Sequence, residues 1–169
     1  MIFEIEQQAV DMLEEYLTTV PKASQTQMER LESQSPGLVH FKKFTEDSNE
    51  TNVDFYTVDN ADFNKAIAKV LGIELLNPIT IHRVNYNIGG KALEHRDEKS
   101  LHTYVIMLDD NFEGGDFYLR GELTNFRKRG QVAYYMGMDA PHSVSEVTKG
   151  SRKVLVVWYS QDTPQFKLL

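Results

Sequence analysis

From residue 79 onward the sequence breaks into short apolar or alternating runs: Ile79–Tyr86, Leu101–Asp109, Asp116–Arg120, Gln131–Met136, Ser143–Val147 and Arg152–Ser160. Turn-forming residues separate them at Gly89-Gly90, Gly114-Gly115, Gly130, Ala140-Pro141 and Lys149-Gly150. Strands this short are not stable alone. Each must pair with neighbours and bury a face, which points to a sandwich or barrel.

The N-terminal part reads differently. Ile5, Ala9, Met12, Leu13, Tyr16 and Leu17 recur at helical spacing before Pro21, and Gln25–Ser33 reads as a short helix stopped by Ser35-Pro36-Gly37. Leu38–Phe44 and Val53–Val58 read as strands around a polar loop, Glu46–Asn52. Asn60 can cap a helix with Phe63, Ala66, Ile67, Val70 and Leu71 on its apolar side, ending at Gly72. Helices first and strands afterwards suggest an α+β chain of one domain over residues 1–169. Helical and mixed support covers 1–77, and a β-rich core covers 78–162.

The chain has no cysteine, which removes disulfides, thiolate zinc sites, iron–sulfur clusters and cysteine nucleophiles together. A metal must therefore sit on imidazole and carboxylate, a set that suits iron, manganese, copper or zinc. A net charge of −7 disfavours a nucleic-acid partner. The one basic cluster, Arg127-Lys128-Arg129, reads as a solvated turn, and Glu14, Glu15 and Glu29 as a solvated helix face. No apolar run is long enough for a membrane span, and the start MIFEIEQQ is acidic where a secretion signal is basic. The expectation is a cytoplasmic protein, monomer or homodimer, with no membrane partner.

His95-Arg96-Asp97 forms a His-x-Asp, whose two side chains share one side of an extended segment and can reach one ion. Taken alone it is a common tripeptide. His142, after Asp139-Ala140-Pro141, supplies a second imidazole at the start of a strand. Two His and one carboxylate leave coordination positions open for a bidentate co-substrate and dioxygen. Ten residues on, Arg152 begins the last run. Two adjacent antiparallel strands joined by a turn would bring it beside the metal, where a guanidinium can clamp a carboxylate through two hydrogen bonds. Arg152, Val154, Val156 and Trp158 share one face of that strand.

Tyr86-Asn87-Ile88-Gly89 ahead of His95-Arg96-Asp97 resembles the Tyr-x-x-Gly…His-x-Asp of the prolyl 4-hydroxylase group of 2-oxoglutarate oxygenases. Leu108-Asp109, Gly114-Gly115, His142 with Gly150-Ser151-Arg152, and Val157-Trp158-Tyr159 continue the resemblance in order over residues 79–160. It implies a double-stranded β-helix (jelly-roll) with Fe(II) on His95, Asp97 and His142. It also implies 2-oxoglutarate held by Arg152 and Tyr86, and ascorbate as reductant. Thr103, Val105 and Met107 would line the pocket, with His102 and Tyr104 pointing away. Val154 and Trp158 would add to its wall.

Two departures stand out. Phe117 replaces a threonine and would act as a hydrophobic wall, and Met107 replaces a frequent tyrosine. The implied reaction couples oxidative decarboxylation of 2-oxoglutarate to hydroxylation of an unactivated C–H bond. The substrate would be a prolyl residue in a peptide, or a small amino-acid-like molecule, recognised by loops Glu46–Asn52 and Ile88–Glu94. A nucleobase demethylase and a non-catalytic jelly-roll binding module are the alternatives. His40 and His82 read as structural, and Gly89-Gly90-Lys91 as a turn or lid hinge.

Overall fold

Alternation along the last strand divides the molecule into two interiors. Leu155, Val157 and Tyr159 face one buried cluster, whereas Arg152 and Val154 face another space on the opposite side of the sheet. The computed structural model describes residues 1–19, 38–43, 49–75, 79–97 and 100–160, with the backbone alone at 19, 38–43, 57, 59 and 160. The described elements are β1 (Ile2–Glu4), α1 (Gln7–Thr19), β2 (Leu38–Lys43), β3 (Glu50–Asp59), α2 (Ala61–Leu71), β4 (Ile79–His95) and β5 (Ser100–Asp109). They continue with β6 (Phe112–Gly114), β7 (Phe117–Leu119), β8 (Glu122–Leu123), β9 (Gln131–Tyr135), β10 (His142–Val144), β11 (Val147–Gly150) and β12 (Arg152–Ser160).

The main sheet runs β1-β9-β5-β12-β4-β10-β7-β8, with β3 also on β4 and β2 beyond β3. A second sheet pairs β11 with β6. The sheet curls on itself as a double-stranded β-helix core, and among the described residues two helices pack against one face. Val10, Leu13 and Leu17 of α1 and Phe63, Ile67 and Leu71 of α2 close over Ile81, Ile106, Leu155 and Val157. The curled interior holds Val53, Phe55, Val84, Met107, Phe126 and Val154.

Asn60 caps α2, its side chain accepting from the Phe63 N–H at 2.9 Å and from the Tyr16 hydroxyl at 2.8 Å. The Tyr16 and Phe63 rings stack at 5.1 Å, so one cap residue ties both helices together. Gly72 ends α2 in the left-handed conformation at φ 68, as its position in the sequence predicts. Within α1, Met12 is 45% exposed and Ile5 precedes the helix, so neither belongs to the buried stripe. The predicted helix Gln25–Ser33 and residues 44–48 lie outside the described residues.

Several expectations are corrected. Gly89-Gly90 separates no strands: β4 runs unbroken from Ile79 to His95. Its register against β3 passes from Val53↔Tyr86 to Thr51↔Lys91, so Asn52 alone stands opposite Asn87–Gly90. This is a β-bulge. Since β3 pairs on both sides of it, β4 is bent there rather than turned back. Residues 50–52 and Ile88–Glu94 are therefore strand, not loop.

Ser143–Val147 splits into β10 and β11, because Ser145 and Glu146 carry the chain from the main sheet to the second one. The basic triplet lies in a turn with Lys128 exposed, as expected, but its two arginines are paired rather than merely solvated. Arg129 reaches Asp11 at 2.7 Å and Glu14 at 3.5 Å, and Arg127 reaches Asp116 at 2.7 Å. Among the described residues no helix is long and apolar enough to cross a membrane.

Candidate metal centre and cavity

β4 and β10 are paired so that His95 lies opposite His142, with ring centroids 4.4 Å apart. Asp97 follows two residues after His95, just past the strand, and its backbone N–H donates to the Gly137 carbonyl at 2.8 Å. Ligand atoms of His95, Asp97 and His142 all lie within 4.8 Å of one another. Asp97 Oδ1 stands 3.3 Å from His142 Nε2 and 3.6 Å from His95 Nε2.

The residues behind these three, which the sequence does not reveal, fix their orientation. His95 Nδ1 lies 2.7 Å from the Leu93 carbonyl, and His142 Nδ1 lies 2.9 Å from the Ala140 carbonyl. A ring nitrogen facing a carbonyl must donate, which leaves each Nε2 lone pair directed at the shared centre. Thr103 donates to Asp97 Oδ2 at 3.2 Å, with Ser100 Oγ 2.8 Å from its hydroxyl. Gly137 lies so close that a Cβ would stand 2.6 Å from Thr103 Oγ1 and 2.8 Å from Asp97 Cβ. Burial presses the His142 imidazole down, but the hydrogen bond and charge of Asp97 outweigh it and hold His142 above its ordinary value.

Arg152 does not arrive by the predicted route. β10 and β12 are not paired with each other; both pair with β4. Between them the chain spends β11 in the second sheet, and β12 then joins β4 further along, with Arg152 opposite Tyr86. Arg152 is 1% exposed, and its Nε has no hydrogen-bond partner among the described residues. Its guanidinium carbon lies 4.9 Å from the Tyr86 ring centroid and 5.8 Å from that of Phe126. Burial lowers the guanidinium from its usual value, and it pushes the Tyr86 phenol up to about 12. Gly115 leaves room for this side chain, since a Cβ there would stand 3.1 Å from Arg152 Cδ.

One cavity joins the metal cluster to Arg152. Tyr86, Val105, Phe117, Val154, Val156 and Trp158 line it. Met107 does not: it is wholly buried in the core beneath. Thr103 is likewise buried, serving Asp97 rather than the cavity wall.

Three residues at the cavity or beside it had no site role in the sequence reading, or a different one. Glu50 brings a carboxylate oxygen to 3.8 Å from His95 Nε2, and burial, then Asp97, raise its carboxyl above the ordinary range. The Tyr135 ring lies tilted against His142 with centroids 4.8 Å apart, and burial pushes its phenol far up. Both depend on long-range register, Glu50 opposite Ala92 and Tyr135 opposite Thr103. Gly137 is likewise a matter of proximity, with no local motif to mark it. Of the other histidines, His102 meets Tyr134 away from the cluster, and His82 lies against Trp158 and Phe55. The His40 side chain lies outside the described residues.

No family model and no curated protein matches the sequence. Solved structures do match in fold. A Trichoplax adhaerens prolyl hydroxylase, solved with a hypoxia inducible factor peptide fragment, superposes with a TM-score of 0.65 at 11% identity, over 96% of this chain and 83% of that one. A Pseudomonas putida prolyl-4-hydroxylase gives 0.60 at 13% identity, over 95% and 91%. OsALKBH1 gives 0.60 at 10% identity, over 95% and 97%. The chain therefore shares the jelly-roll fold of these solved structures, and it carries a His-Asp-His group that could hold a metal.

Proposed function

We infer that this chain is an Fe(II)- and 2-oxoglutarate-dependent oxygenase that hydroxylates an unactivated C–H bond. Its substrate would be a prolyl residue in a peptide or a small amino-acid-like molecule. One observation carries the reading: two imidazoles and a carboxylate share a cavity with a buried guanidinium whose Nε has no hydrogen-bond partner among the described residues. A buried cation without a counter-ion is costly, and a cavity that tolerates it fits an anionic ligand.

The donor set fits Fe(II), held by His95, Asp97 and His142 with positions left open. Iron there, with the 2-oxo acid, would supply dioxygen activation coupled to decarboxylation. The chain's own residues provide geometry. Arg152 would clamp the distal carboxylate, and Tyr86 would donate its hydroxyl to the same group; the phenol stays protonated at neutral pH. Phe117, Val105, Val154 and Trp158 would keep water from the reacting centre.

The test is incubation with Fe(II), ascorbate and 2-oxoglutarate, following succinate release and the mass of proline-containing peptides, free amino acids and methylated oligonucleotides. A gain of one oxygen on a peptide or amino acid is expected. Demethylation of the oligonucleotides alone would make the chain a nucleobase demethylase. No 2-oxoglutarate turnover with any member would make it a binding module.

A further inference from the structure

Tyr135 ends β9 and lines the cavity, yet the proposed function leaves it without a task. It is paired opposite Thr103, and its ring centroid lies 4.8 Å from that of His142 and 5.8 Å from that of Phe117. These contacts account for the ring. They do not account for the hydroxyl, because a phenylalanine would make them equally well.

A buried phenol ordinarily finds a partner for its O–H. Tyr135 is only 7% exposed, and its hydroxyl makes no hydrogen bond among the described residues. Nor is that hydroxyl walled in, as Arg152 Nε and Trp158 Nε1 are. On a buried residue of the cavity wall, its open side is the cavity itself.

The neighbouring groups define the ligand it can meet. Asp97 does not take the phenol proton: its Oδ2 accepts from Thr103, and its Oδ1 faces the two imidazoles. Besides burial, the groups acting most strongly on the Tyr135 phenol are Asp97 at the metal cluster, then Tyr86 and Arg152 at the anion clamp. The hydroxyl thus stands between the two places at which a 2-oxo acid would be held. Tyr86 and Arg152 bring donors to the same space, so what they share with Tyr135 is an oxygen-rich anion.

We propose that Tyr135 donates its hydroxyl to an oxygen of the bound 2-oxo acid, a third hold beside the metal and the Arg152–Tyr86 clamp. This rests on the oxygenase reading above. A phenol is a donor throughout the neutral range, and its bond to a carboxylate is charge-assisted. The ring is already fixed against His142 and Phe117, so little ordering remains to oppose binding.

Tyr135→Phe keeps the ring and deletes only the donor. In calorimetric titration of protein loaded with Fe(II) and kept free of oxygen, the variant should bind 2-oxoglutarate about 10- to 100-fold more weakly than the wild type. Iron affinity, measured before 2-oxoglutarate is added, should equal that of the wild type. The unliganded variant should melt no lower, because no hydrogen bond between described residues is lost.

Unchanged 2-oxoglutarate affinity in Tyr135→Phe overturns the proposal. Weaker iron binding or a lower melting temperature overturns it as well, since either gives the hydroxyl its task in the unliganded protein. Failure of the wild-type protein to bind 2-oxoglutarate would instead bring down the oxygenase reading, and this proposal with it.

Discussion

His142 stands directly opposite His95 in the antiparallel pairing of β10 with β4. That one register brings together two imidazoles that are 47 residues apart in the chain. Asp97 then needs only to follow His95 by two residues to complete the cluster.

Removing a ligand should therefore abolish metal binding, and removing a bystander should not. Asp97→Ala or His142→Ala is expected to lose Fe(II) in anaerobic titration calorimetry. His102→Ala, whose ring meets Tyr134 instead, should bind it as the wild type does. The opposite pattern would mean that the cluster is not the iron site.

Thr103 acts through Asp97. Thr103→Val keeps the shape but removes the donor to Asp97 Oδ2, and should weaken metal affinity about 10- to 100-fold while the fold persists. Gly137→Ala should weaken it too, by pushing on Asp97 and Thr103 together. Unchanged metal affinity in both variants would leave Asp97 held by something else.

Arg152 should show opposite signs in affinity and stability. Arg152→Met removes the carboxylate clamp, so the 2-oxoglutarate requirement should rise roughly 30- to 1000-fold while iron still binds. The unliganded variant should melt higher, by at least about 2 °C, because a buried cation is replaced by an apolar side chain. Lower stability combined with unaltered 2-oxoglutarate affinity would make Arg152 a purely structural residue.

Alkaline stability should follow the buried phenols. Burial raises Tyr86 to about 12 and holds Tyr135 well above the ordinary phenol value. The unfolded phenols ionise near pH 10. Between those values the folded state holds more protons, so stability present below pH 10 is lost as the pH rises toward the folded values. Phenolate absorbance should thus appear for these residues together with unfolding. Early phenolate absorbance at full native circular dichroism would contradict the burial assigned to them.

The three metal-binding candidates and Arg152 were legible in the sequence because their spacing and residue types restrict the chemistry. The late strands were legible because alternation has a period of two, set by backbone geometry alone. The cap at Asn60 and the stop at Gly72 were equally local, each depending on conformations that few residues adopt.

Tertiary structure decided the rest, because it depends on which strand lies beside which. The sequence could not show that Gly89-Gly90 is a bulge, since that requires β3 to pair on both sides of it. Nor could it show that Arg152 reaches the cavity across Tyr86 rather than beside His142. Thr103, Gly137, Tyr135 and Glu50 gained their places through partners from 6 to 45 residues away in the chain. Local patterns select residues for strands and ligands. Only the long-range pairing of β4 with β3, β10 and β12 determines which of them face one another across the cavity.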